Sequence, residues 1–202
     1  MSRNTGDITK KNILTQSFVL FSSKPYDKVT FTDFEKMTGL SRGAILYHFK
    51  SKQEIFEAVI ESSVLGRMAI LEIPIREKEP LKNFITDFIK SCVDAKKEMA
   101  KLGIKNMNRA HYNIESLALY SYSQFNKMAK QLRDTELKIW ILVVKKAQDV
   151  GEIKRDIDPE LTASLFLNSY LGHAYSAAKE ENGCDTELLY KELMHLREIV
   201  KS

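Results

Sequence analysis

Apolar residues recur along this chain at intervals of three and four, the spacing that gathers them on one face of an α-helix. The clearest case is Leu81, Phe84, Ile85, Phe88, Ile89 and Cys92, which follow the rule without a miss. The same pattern predicts helices over about residues 113 to 122, 125 to 149, 159 to 181 and 186 to 200. Their ends carry the expected punctuation. Gly151 closes the long one, Asp158-Pro159 supplies an N-cap and a proline for the next, and Asp185 caps the last. Ile73-Pro74 and Glu79-Pro80 bracket a break upstream, because a residue before proline is pushed out of helical geometry. With few glycines and prolines and little clustering of β-branched residues, the chain reads as all-α, with about nine helices.

The segment Thr30 to Glu54 breaks this rhythm with two very short helices. Thr30 and Asp33 form a capping box, in which each side chain satisfies a backbone N–H at the other's end, and Val29 and Phe34 form the matching hydrophobic staple. Gly39 ends the first helix, since it alone enters the left-handed region without a Cβ penalty. Ser41 caps a second helix that runs to about Phe49. Ile45 and Phe49 can join Phe34, Met37 and Leu40 in a small core, leaving Gly43, Ala44, Leu46 and Tyr47 outward. Ser51 and Glu54 make a second capping box, so a third helix starts at once, with Lys52 in its first turn.

Two short helices meeting at a tight turn are the means by which a protein presents a helix to the major groove of DNA. Residues at the start of such a helix must be long and polar, or small enough to let the backbone approach. Arg42 can offer a bidentate fork to guanine O6 and N7, and Gly43 and Ala44 are small, Ala44 being able to touch a thymine methyl. Tyr47, His48, Lys50 and Lys52 lie farther along, where hydroxyl, imidazole and ammonium groups can reach phosphates, and Thr30 stands at a helix N-terminus. The competing reading is plain packing: His48 lies only about 60° around the helix from Ile45.

This stretch resembles the DNA-binding domain of the TetR/AcrR family of transcription regulators. The matching elements are Phe18-Val19-Leu20-Phe21, Pro25-Tyr26, Thr30, and the run from Gly39 through Ser41, Gly43, Tyr47, His48 and Phe49 to Lys52. Two positions depart from the family's form: Leu46 stands where a tyrosine is usual, and Pro25 where a glycine is usual. The resemblance implies that Arg42, Gly43, Ala44 and Thr32 read bases while Thr30, Tyr47, His48 and Lys52 grip the backbone. The candidate DNA-binding set is therefore Thr30, Thr32, Ser41, Arg42, Gly43, Ala44, Tyr47, His48, Lys50 and Lys52.

The resemblance further implies a helix-turn-helix head over residues 1–60 and a helical ligand-sensing and dimerisation body over 61–202. In such a body two helices from each subunit form a four-helix bundle. Ser164, Asn168, Gly172 and Ser176 make a ridge of small side chains that would let a second helix come close, and Leu189, Leu193, Leu196 and Val200 make an apolar strip to match. The alternative is packing inside one subunit. A homodimer would read a palindromic operator in double-stranded DNA. A small-molecule ligand is expected, its binding residues unknown, from among aromatic, sulfur and hydrogen-bonding groups such as Phe84, Phe88, Met107, His111, Tyr112, Phe125, Met128, Trp140, Tyr170 and His173.

Charge agrees with a nucleic-acid partner. The net charge is +4, and residues 1–60 hold nine Lys/Arg against six Asp/Glu, so most of the excess sits at the head. No metal or cofactor is expected, since His48, His111, His173 and His195 share no ligand spacing and Cys92 and Cys184 no CxxC motif. Both cysteines read as reduced, Cys92 on a buried helical face. No apolar run is long enough to span a membrane and the N-terminus lacks a signal sequence, so a cytoplasmic protein is expected. No nucleophile-base pair, phosphate loop or paired carboxylate stands out, which speaks against an enzyme or carrier with a vestigial head. A DNA-bound factor controlled by a protein partner is the other alternative.

Overall fold

The computed structural model describes residues 3–202, apart from the side chains of residues 3–5 and 64–69. The described residues form an all-α fold. Its helices are α1 (Arg3–Ser23), α2 (Phe31–Thr38), α3 (Arg42–His48), α4 (Lys52–Arg67), α5 (Pro80–Lys101), α6 (Met107–Ser121), α7 (Phe125–Asp149), α8 (Pro159–Ala177) and α9 (Thr186–Val200), with 3-10 turns at Tyr26–Lys28 and Met68–Glu72. None of these is long and apolar enough to cross a membrane, and no group of three or more described His, Cys, Asp or Glu side chains is placed to hold a metal ion.

The chain divides into two compact units, one of Met1–Gly66 with Ala110–Asn126, the other of Arg67–Arg109 with Lys127–Ser202. The boundary between Arg109 and Ala110 falls inside α6. The first unit is built around aromatic rings. Phe21 meets Phe34 and Phe56 edge-on at 5.7 and 5.0 Å, and Ile13, Ile45, Phe49 and Ile55 are buried around them. Helix α6 and the residue that follows it make polar ties within this unit: Asn113 donates to the Ser22 carbonyl at 2.9 Å, and the Tyr122 hydroxyl to Glu61 at 2.8 Å.

In the second unit α9 packs on both α5 and α8. Trp140 of α7 is fully buried, stacked on Phe166 at 5.5 Å and met edge-on by Phe84 at 4.9 Å and Phe88 at 5.6 Å. Helix α5 begins after Glu79, whose backbone is left-handed at φ 45° and whose side chain makes no cap. The cap comes from Glu152 instead, whose carboxylate accepts from the N–H groups of Leu81 at 2.8 Å and Lys82 at 3.0 Å. Arg197 of α9 donates to the same carboxylate at 2.7 Å, with both side chains buried. Burial works against the Arg197 charge, yet its hydrogen bonds to Glu152 and Glu198 hold its pKa above the usual value.

Three expectations from the sequence change here. The helix expected from 113 starts at Met107, because the Asn106 side chain accepts from the Arg109 N–H at 2.7 Å. Helix α8 stops at Ala177 instead of 181. Its last carbonyl and the three that follow are taken by Asn106 and Arg109, which bond Ala177, Ala178, Lys179 and Glu180 at 2.7–3.2 Å. On α9, Leu189 and Leu193 are fully buried in the unit's own core and Leu196 and Val200 pack partly against it; the outward apolar residues are Leu188 and Ile199. Cys184 is buried and Cys92 half-buried, both as free thiols, and burial pushes their pKa values up to about 11 and about 12.

Candidate nucleic-acid interface

Local chemistry places α2 and α3. The Thr30 hydroxyl accepts from the Asp33 N–H at 3.3 Å while Asp33 accepts from the Thr30 N–H at 2.9 Å, closing the capping box. Asp33 also holds the Lys24 ammonium at 2.7 Å. These bonds, Lys24 first and then the Thr30 N–H and hydroxyl, keep the Asp33 carboxyl well below the usual carboxylate range. Gly39 closes α2 at φ 70°. Ser41 accepts from the Ala44 N–H at 3.3 Å, and Glu35 from the Arg42 N–H at 2.8 Å, so the start of α3 is held from its own cap and from α2.

With Ile45 and Phe49 buried beneath it, α3 turns its other side outward. Ser41, Arg42, Gly43 and Tyr47 are exposed, Tyr47 to 78%, and Ala44 is half-exposed. Gly43 has ordinary helical geometry, and a Cβ added there would meet nothing within 4 Å. Packing within the chain therefore does not require a glycine, which costs helix stability by about 1 kcal/mol relative to alanine. Thr30, Thr32 and Lys50 are exposed, while His48 is half-buried against Tyr47, their rings edge-on at 5.2 Å. The Arg42 guanidinium lies over the Phe31 ring, 4.8 Å from its centroid.

Lys52 stands apart from the others. Its ammonium donates to the carbonyls of Tyr26 at 2.9 Å and Val29 at 3.1 Å and lies over the Tyr26 ring at 4.2 Å. It is thus tied to the turn that leads into α2. Tyr26 in turn donates to Gln53 at 2.9 Å, and Gln53 to the Ser121 carbonyl at the end of α6 at 3.0 Å. Sequence reasoning did not single out Phe31, Glu35 or Gln53, whose partners become neighbours only once α2, α3, α4 and α6 have packed. The second capping box is also altered: the Glu54 N–H donates to the Ser51 hydroxyl at 3.1 Å, but the Glu54 carboxylate accepts from the Lys50 N–H at 2.6 Å.

The candidate pocket residues are shared between the two units. Phe84, Phe88, Trp140 and Tyr170 form an aromatic cluster in the second unit, Phe88 meeting Tyr170 edge-on at 4.9 Å. His111, Tyr112 and Phe125 belong to the first unit, where His111 bonds Ser63 at 3.0 Å and meets the Phe18 ring at 5.2 Å. His173 is paired with Glu192 at 2.9 Å.

Comparison with known proteins adds to this geometry. Residues 13–59 match the family model described as bacterial regulatory proteins, tetR family. Over 177 residues the chain is 27% identical to the uncharacterized HTH-type transcriptional regulator YwcC of Bacillus subtilis, spanning 82% of this chain and 76% of that one. It is 23% identical over 182 residues to the HTH-type transcriptional repressor BepR of Brucella suis, spanning 88% and 84%. The solved structure of the SmeT–triclosan complex shares the fold with a TM-score of 0.70 at 19% identity, over 96% of this chain and 93% of that one.

Proposed function

This chain belongs to the TetR/AcrR family of transcriptional regulators, and from that premise we propose that it is a homodimeric repressor released from a palindromic operator by a small molecule. The observation that carries the reading is the outward face of α3, where Arg42, Gly43, Ala44 and Tyr47 meet solvent while Ile45 and Phe49 fix the helix to the core. In this reading Arg42, Gly43, Ala44 and Thr32 face bases. Thr30, Ser41, Tyr47, His48 and Lys50 lie along the phosphates. Lys52 takes a different part: with its ammonium committed to two backbone carbonyls, it sets the entry to α2 and acts on DNA through the position of Thr30.

One seven-residue helix reads too few base pairs for specificity, and a twofold pair of them reads half-sites about 34 Å apart or a multiple of that. Helix α8 supports pairing of two copies. Asn168, Gly172 and Ser176 are exposed along one ridge, a Cβ at Gly172 would meet nothing, and Leu161 and Leu165 stand uncovered beside it. The strip it meets is Leu188 and Ile199 of α9 instead of Leu189 and Leu193. A ligand that relieves repression a hundredfold must favour the non-binding state by about 3 kcal/mol, an ordinary allosteric coupling. The SmeT–triclosan complex supports a small, largely apolar effector.

The test is binding to duplex DNA from upstream of the chain's own gene against a shuffled duplex, at a stated salt concentration. Selective binding is expected, with Arg42→Ala costing about 1–3 kcal/mol and relaxing one base position. Lys52→Ala is expected to weaken all sequences alike while leaving the salt slope unchanged, because no phosphate contact is lost. Equal, weak binding to both duplexes would remove the proposal.

A further inference from the structure

Arg42 is the residue at the start of α3 with the reach and the donors to read a base, and its backbone and its guanidinium are both held by one face of α2. Phe31 and Glu35 are one helical turn apart, so they lie on the same side of that helix. Glu35 accepts the Arg42 N–H at 2.8 Å, and Phe31 lies beneath the Arg42 guanidinium, 4.8 Å from ring centroid to guanidinium carbon. The ring is itself braced. Phe34, fully buried, meets Phe31 edge-on at 5.7 Å and carries on to Phe21 at 5.7 Å, so the platform is fixed to the core of the unit.

We infer that Phe31 is a specificity-determining positioning residue, holding the Arg42 guanidinium over its ring so that N–H groups not engaged there are ready to fork onto a guanine. The inference rests on the DNA-reading function proposed above for Arg42. Its physical basis is the shape of the cation. A guanidinium is planar, attracts an aromatic ring through its face, and makes its bidentate hydrogen bonds through its edge, so stacking and base reading use different parts of the same group. An arginine without support must be ordered from many rotamers at the moment of binding. One already resting on Phe31 gives up less freedom, and it gives it up only at the base that it reads.

The experiment starts from duplexes selected by the purified full-length protein from a random-sequence pool. Affinities are measured for the selected duplex and for its single-base-pair variants, with wild type, Phe31→Leu, Phe31→Tyr, Arg42→Ala and the double variant Phe31→Leu/Arg42→Ala. Phe31→Leu is expected to lower discrimination roughly two- to fivefold at the one base pair that Arg42→Ala relaxes, in keeping with the strength of an exposed cation–π contact. Discrimination elsewhere and the salt slope stay unchanged. Phe31→Tyr, which keeps the ring face, retains wild-type discrimination, and Phe31→Leu has no further effect once Arg42 is alanine. Equal weakening on every duplex, or the same loss with and without the arginine, would overturn the role of Phe31 while leaving Arg42 as the reader. If no duplex is selected, or if Arg42→Ala discriminates like wild type, the reading of bases by Arg42 falls and the role of Phe31 falls with it.

Discussion

Helices α2 and α5 both start against a carboxylate, but the two carboxylates come from different distances. At α2 the acid is Asp33, inside the helix's first turn, bonded back to Thr30 three residues earlier. At α5 it is Glu152, 71 residues beyond the Leu81 N–H that it accepts, held in place by Arg197 of α9. The start of α2 is thus closed by neighbours in sequence. Helix α5 is closed by a buried ion pair that exists only when the chain segments before α5, after α7 and at the end of α9 have come together. A short C-terminal pairing reinforces the same place, where Lys154 donates to the Val200 carbonyl at 2.9 Å.

The comparison is sharpest at Glu152. Glu152→Ala takes from the Arg197 guanidinium its buried carboxylate partner, leaving the exposed Glu198, and uncaps α5, and is expected to cost about 3–5 kcal/mol in denaturant unfolding. A loss under 1 kcal/mol would mean that the long-range tie carries little. Thr30→Ala, the local counterpart, is expected to cost about 1 kcal/mol by the same measurement; a loss as large as that at Glu152 would break the contrast between the two helix starts. The smallest effect expected is the acid dependence of the α2 cap. Because the folded-state pKa of Asp33 lies below its unfolded value, its contribution is complete at neutral pH and drains away as pH falls below about 4. Thermal unfolding of wild type and Asp33→Asn should therefore differ at pH 7 and converge toward pH 2, and a gap that stays constant over that range would show that the carboxylate is not the source of the cap.

The caps at Thr30, Gly39, Ser41, Asp158 and Asp185 stand where the sequence places them, and α7 and α9 run over the expected residues, because each of these features depends on side chains within a turn of the backbone they serve. The start of α6 is less legible, because its capping residue, Asn106, stands ahead of a weakly periodic stretch. Leu189 and Leu193 illustrate a different limit. Their spacing marks an apolar strip correctly, but spacing does not say whether such a strip faces its own subunit or another, and α5 and α8 take that space first.

Lys52 marks the same division within the first unit. Its place in the motif is plain from the sequence, yet the destination of its ammonium depends on where the Tyr26–Lys28 turn lies against α4, a matter of packing between segments more than twenty residues apart. By itself the sequence determined the helices, their caps and the outward set of groups on α3, since periodicity and capping are local interactions. Only the tertiary structure decided that Phe31 and Glu35 share Arg42, that Glu152 and Arg197 close α5, and that α6 belongs partly to each unit. Those depend on which low-energy local pieces fill one another's cavities and satisfy one another's buried polar groups, which no single segment specifies.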